Sequence, residues 1–120
     1  MTLASVVVAA KAAASKTDHE TVVLDVTELM AITDYFVITS GSNPRQVRAV
    51  AEEVEEQVRA SGGGSPRRIE GLDDARWVLV DYGDFIVHVF LDEARAFYDL
   101  ERLWSDARRV DLPQLRPVSV

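Results

Sequence analysis

The sequence predicts a single α/β (α+β) domain in which a mixed β-sheet is flanked by helices. Three observations predict it. The chain has 120 residues, of which 48% are hydrophobic, enough apolar material for the core of one domain. The apolar residues change period along the chain, from helical spacing to β-type runs and back, more than once. No internal repeat and no long linker divides the chain.

Residues 3–16 place Leu3, Val6, Val7, Ala10, Ala13 and Ala14 on one helical stripe. This start lacks a basic leader and is interrupted by Lys11, so an amphipathic helix fits it better than a signal peptide. No stretch approaches the roughly 18 apolar residues of a spanning helix. Thr21–Val26 (TVVLDV) reads as a strand, TELMAITD as a turn-like connection, and Tyr35–Ser40 (YFVITS) as a second strand. In GSNPRQ, Asn43 is a natural N-cap, Pro44 suits the first helical position and Gln46 can close a capping box. The helix that follows carries Val47, Val50, Ala51, Val54 and Val58 on its buried stripe and turns Glu52, Glu53, Glu55 and Glu56 largely outward. SGGGSP ends it. Arg67–Glu70 is a short edge strand, and 76–81 with 84–91 forms a hairpin. A last helix starts at Asp92 or Glu93 and runs to about Trp104. The domain is thus 1–104, and 105–120, with two prolines and no clear period, is an irregular tail.

The hairpin WVLVDYGDFIVHVF carries most of the functional argument. A two-residue Tyr82-Gly83 loop, with glycine supplying positive φ, pairs Asp81 with Asp84, Leu79 with Ile86 and Trp77 with His88. Trp77, Leu79, Ile86 and His88 then share one face, and Val78, Val80, Phe85, Val87 and Val89 the other. The second face is wholly apolar and belongs in the core. The first is mixed and suits solvent or a partner. A three-residue loop would slip the pairing by one and set Trp77 opposite Val89. In the last helix Phe97, Leu100 and Trp104 line one side, and Tyr98 falls outside that stripe between Arg95 and Arg102. Tyr and Arg on an exposed face are frequent interface residues. A solvated helix face with a snorkelling arginine gives the same pattern.

Thirteen basic against twenty acidic residues leave a net charge of −7. A broad basic surface for nucleic acid is therefore not expected, and a basic partner is the better match. The absence of cysteine removes disulfides, thiolate metal sites and cysteine nucleophiles, and is compatible with a cytoplasmic protein.

Evidence for catalysis is thin. SGSN before a helix could cradle a phosphate, yet no Gly-Lys-Ser/Thr follows it. Asp25, Asp34, Asp81 and Asp84 are the strand-associated acids, and the last two are economically explained as turn residues. His19 and His88 do not pair at a ligand spacing, and no Ser-His-Asp order suggests a triad. The enzyme alternative is a metal-dependent nucleotidyl or phosphoryl transferase built from Asp81, Asp84 and the Ser40–Asn43 turn.

Two segments, ITDYFVITSGSNPRQV (32–47) and WVLVDYGDFIVHVFLDEARAFYDLERLW (77–104), resemble the hallmark segments of the ribosomal silencing factor family, RsfS, also called Iojap-like proteins. The resemblance spans about residues 3–104. It implies a nucleotidyltransferase-like fold lacking the catalytic carboxylates, with no cofactor, no metal and no catalytic residue. It implies a cytoplasmic translation repressor that binds the large ribosomal subunit through ribosomal protein L-fourteen and blocks subunit joining under nutrient limitation. Little nucleic-acid contact and no membrane contact are expected, and pairing of the free protein with itself stays open. On residue type and hairpin pairing, the partner-binding surface is expected at Trp77, Tyr82, Asp84, His88, Arg95 and Tyr98.

Overall fold

β-Branched and aromatic runs supply the strands of one mixed sheet, seen in a computed structural model that describes residues 2–112. Its elements in chain order are α1 (Thr2–Ala14), β1 (Val22–Asp25), β2 (Tyr35–Gly41), α2 (Pro44–Ala60), β3 (Arg68–Glu70), β4 (Trp77–Asp81), β5 (Phe85–Leu91), α3 (Asp92–Tyr98), α4 (Leu100–Leu103) and β6 (Arg108–Arg109). The strand order is β3-β4-β5-β2-β1-β6. β2 and β5 run parallel at the centre, and the other neighbours are antiparallel. The mixed sheet flanked by helices is the architecture expected from the sequence.

Each face of the sheet has its own core. Val23, Val37, Val78, Val80, Phe85, Val87 and Val89 pack under α1 and α2. The α2 stripe of Val47, Val50, Ala51, Val54 and Val58 is fully buried there, as its spacing predicts. Each such valine contributes roughly 1.5–2 kcal/mol of hydrophobic stabilisation. Asn43 caps α2 by accepting the Gln46 N–H at 2.9 Å. Gln46 Oε1 accepts the N–H of Ser42 at 2.7 Å, one residue before the cap rather than at it. On the opposite face Val22, Leu24, Phe36, Ile38 and Phe90 pack under Ala94, Leu100 and Trp104.

Four expectations are corrected. In α1 the buried residues are Val6, Ala9, Ala10, Ala12 and Ala13, whereas Leu3 is exposed. A helix that is apolar nearly all round does not fix its own phase. The β4–β5 register differs by two residues: Trp77 opposes Phe90, Leu79 opposes His88 and Asp81 opposes Ile86. The turn sets this shift. Asp81 Oδ1 accepts the Gly83 N–H at 2.7 Å, Gly83 has φ 87°, and the Tyr82 N–H donates to the Phe85 carbonyl at 3.0 Å. An even slip leaves both faces as predicted.

The last helix is broken at Asp99, which adopts a left-handed conformation (φ 48°, ψ 55°) between α3 and α4. The break rotates Phe97 out of the expected stripe, leaving it 79% exposed, while Leu100 stays buried. Finally, the stretch after Trp104 is not wholly irregular, because Arg108 and Arg109 pair with Asp25 and Leu24 as β6. The rest of the expected tail, 113–120, lies outside the described residues.

Candidate protein-binding face

Residues paired across neighbouring strands point to the same side, so the registers define rows across the sheet. On the side under α3 one row runs Trp77–Phe90–Ser40. The next runs Glu70–Leu79–His88–Ile38–Val22, and a third Arg68–Asp81–Ile86–Phe36–Leu24. α3 packs over β5 and β2. Toward β4 the cover thins, and Trp77, Leu79 and Ile86 are only half-buried.

These side chains set out an apolar path along the half-covered side, in two depressions and an aromatic cluster. Ile32, 77% exposed in the β1–β2 connection, lines a shallow depression with Ile86, Arg68 and Asp81. Leu79 and Trp77 line a second with Glu70 and Gly71. Trp77 meets Tyr98 with ring centroids 4.8 Å apart, and Tyr98 meets Phe97 edge-on at 5.1 Å. A charged rim borders the path: Arg68 Nε lies 3.1 Å from Glu70 Oε2 and 3.3 Å from Asp81 Oδ2. An apolar, aromatic centre with a charged rim is the anatomy of a protein-binding surface. A larger cleft of about 630 Å³ lies at the far edge of the sheet, lined by Ala14, His19, Val23, Arg109 and Leu112, where the described residues end.

The six residues expected to form the surface do not all lie on it. Trp77 and Tyr98 do. His88 sits beneath them, 5% exposed, where Nδ1 accepts the Trp77 indole N–H at 3.1 Å. Burial pushes its imidazole down to about 4, so the ring is neutral near pH 7. Arg95 turns inward with its side chain 14% exposed. It donates from Nη1 to the Glu20 carbonyl (2.6 Å) and Ser40 Oγ (2.9 Å), and from Nε to Glu101 (3.1 Å). Tyr82 lies on the other side of the sheet, packed with the α1/α2 core and stacked on Phe85 at 4.7 Å. Its hydroxyl is pushed up to about 12, first by burial and then by Glu55. Asp84 is exposed at the hairpin tip and accepts from Thr2 Oγ1 at 3.0 Å. Two further exposed apolar residues on this face, Ile32 and Phe97, are not among the six. The first sits in a connection with no period, and the second was hidden by the helix break.

The residues of the alternative transferase site do not converge. The parallel register sets Gly41 beside Leu91 at one end of β5 and Tyr35 beside Phe85 at the other. The Ser40–Asn43 turn and the Asp81–Asp84 turn are therefore roughly 20 Å apart. Asp81 is engaged by Gly83 and Arg68. A Ser–His–Asp chain that the sequence order did not suggest does form: Ser42 Oγ is 2.9 Å from His19 Nε2, and His19 Nδ1 is 3.1 Å from Asp92 Oδ1. Ser42 is exposed and its own N–H is taken by Gln46, so it cannot itself supply an oxyanion donor. The chain of contacts ties together the α1–β1 connection, the β2–α2 turn and the start of α3.

Similar sequences and a similar fold occur in known proteins. The family model described as "Ribosomal silencing factor during starvation" (RsfS) matches residues 2–119. A ribosomal silencing factor from Bacillus subtilis is 42% identical over 105 residues, covering 88% of each chain. A mouse protein named "Mitochondrial assembly of ribosomal large subunit protein 1" is 36% identical over 85 residues, 69% of this chain and 37% of its own. A crystal structure from Bacillus halodurans superposes with a TM-score of 0.75 at 37% identity, covering 89% of this chain and 96% of the other. One from Chromobacterium violaceum reaches 0.80 at 28% identity, covering 92% and 91%. With the family model spanning nearly the whole chain, and relatives this similar in sequence and fold, the chain belongs to the ribosomal silencing factor family, a family of ribosome-associated regulators of translation.

Proposed function

We propose that the protein binds the large ribosomal subunit through ribosomal protein L-fourteen and occupies the place where the small subunit would dock. It would repress translation by occlusion, with no chemical step and no cofactor. The observation that carries this reading is the half-covered β4–β5 face, where Trp77 and Tyr98 stand together beside Leu79 and Ile86. Aromatic residues in such a patch are the usual carriers of interface energy. The net charge of −7 favours encounter with a basic ribosomal protein and disfavours unspecific contact with ribosomal RNA. In this reading Trp77 and Tyr98 make direct contacts. His88 acts from beneath, Arg95 braces α3 against the sheet without entering the contact, and Tyr82 and Asp84 lie away from it.

The test measures binding to purified large subunits, and melting temperature, on Trp77→Ala and Tyr98→Ala proteins. Trp77→Ala should weaken binding more than roughly tenfold while the protein stays folded. The same variant should fail to prevent subunit joining in a light-scattering assay. Binding retained by both folded variants would place the contact elsewhere. Size-exclusion chromatography of the free protein tests the competing occupant, a second copy paired through this face.

A further inference from the structure

His88 is an uneconomical core residue. It is buried on the α3 side of the sheet, between Phe36, whose ring stands T-shaped to it at 4.7 Å, and Phe90. Its Nδ1 accepts the Trp77 indole N–H, so the neutral ring must carry its proton on Nε2. Among the described residues that buried Nε2 has no hydrogen-bond partner. A donor left unpaired in the interior works against folding, and an apolar side chain of similar size would avoid the penalty. What the histidine provides in return is a fixed acceptor for one particular indole. With Nε1 turned inward, Trp77 presents a single edge of its ring, held in a cluster of tilted rings with Phe90 (4.9 Å) and Tyr98 (4.8 Å).

We propose that His88 is a positioning residue of the docking face: it touches no partner, and by holding the Trp77 indole in one orientation it keeps the Trp77–Tyr98 surface ready to bind. This rests on the docking reading above. If the indole is released, only a fraction of the molecules display the competent orientation, and the apparent dissociation constant rises by the inverse of that fraction.

Two variants separate positioning from packing. His88→Phe keeps an aromatic ring and removes both the acceptor and the unpaired donor. It should melt at or above the wild-type temperature yet bind large subunits about three- to tenfold more weakly. His88→Asn keeps an acceptor near the Nδ1 position but leaves a smaller, poorly satisfied side chain. It should melt lower and bind like wild type. The indole N–H of Trp77, followed by proton–nitrogen NMR in the free protein, should be protected from exchange in wild type and His88→Asn and lose that protection in His88→Phe. Protection unchanged in His88→Phe overturns the inference whatever the binding does. So does affinity that follows melting temperature across the two variants, or wild-type binding by His88→Phe where Trp77→Ala binds weakly. Wild-type binding by Trp77→Ala removes the docking reading itself, and the inference falls with it.

Discussion

Trp77 stands directly opposite Phe90 on the β4–β5 ladder and packs against it with ring centroids 4.9 Å apart and the rings tilted by 31°. This pair marks the boundary between the covered and uncovered parts of the sheet. Phe90 is fully buried under α3, and Trp77 is half out. The aromatic centre of the candidate face is therefore an extension of the core. Its position is set by strand pairing rather than by a flexible loop.

The β3–β4 connection sets the position of that strand, and Gly71 is its constrained point. Gly71 has φ 88°, and a Cβ there would run into the Trp77 carbonyl oxygen. Gly71→Ala should cost about 1–3 kcal/mol of stability, read by chemical denaturation. It should also weaken subunit binding by moving the start of β4. A variant as stable as wild type would mean that the turn adapts without moving Trp77.

Arg95 tests whether a residue expected in the interface is instead a brace. Its guanidinium joins α3 to the Glu20 carbonyl, to Ser40 on β2 and to Glu101 on α4. Arg95→Ala should destabilise the fold by about 2 kcal/mol, because it leaves part-buried acceptors without their charged donor. At a temperature where the variant is fully folded, its affinity for the large subunit should stay within about twofold of wild type. A loss greater than tenfold in the folded variant would return Arg95 to the contact surface.

Tyr82 gives the converse case on the opposite face. Its hydroxyl is buried and has no hydrogen-bond partner among the described residues. Tyr82→Phe should be neutral or stabilising by up to about 1 kcal/mol. The raised ionisation has a sign. An unfolded tyrosine loses its proton near pH 10, whereas the folded one keeps it to about 12. Stability present below about pH 10 is thus lost as pH rises through that window. Alkaline denaturation of wild type and Tyr82→Phe should show the difference, and identical curves would mean that the hydroxyl ionises in the folded state as it does in water.

How far the sequence could be read depended on the kind of signal. The α2 stripe was legible because valines alternate with glutamates at helical spacing, so only one phase buries the apolar side. The faces of β4 and β5 were legible for the same reason in a period of two. The register was not, because it depends on how the Asp81 side chain folds the turn, and slips of zero and two give the same faces. The two aromatics that the structure sets together on the candidate face, Trp77 and Tyr98, were legible as surface residues. The roles of His88 and Arg95 were not, since nothing local distinguishes a polar residue facing solvent from one facing a buried partner. Phe97 was misplaced because a left-handed residue at Asp99 breaks the helical period, and aspartate at that position is a weak signal for it.

Acid should destabilise the protein through His88 before most carboxylates contribute. Burial holds the folded imidazole at about 4, against 6.5 for the free side chain. Between these values the unfolded chain binds a proton that the folded chain refuses, so stability is complete above about pH 6.5 and falls as pH drops toward 4. Over the whole window this one group accounts for on the order of 3 kcal/mol. Asp25 adds to the loss below that range. Its carboxylate is held below the usual value first by the Thr27 N–H and further by Arg108. His88→Phe has nothing to titrate, so its stability should change less between about pH 6.5 and pH 4.5 than that of wild type. Urea denaturation at several pH values in that window reads the difference directly. Parallel pH profiles for the two proteins would show that the folded state accepts the proton on His88 as readily as the unfolded chain. The imidazole would then be open to water, and the hydrogen bond to Trp77 would break and re-form freely.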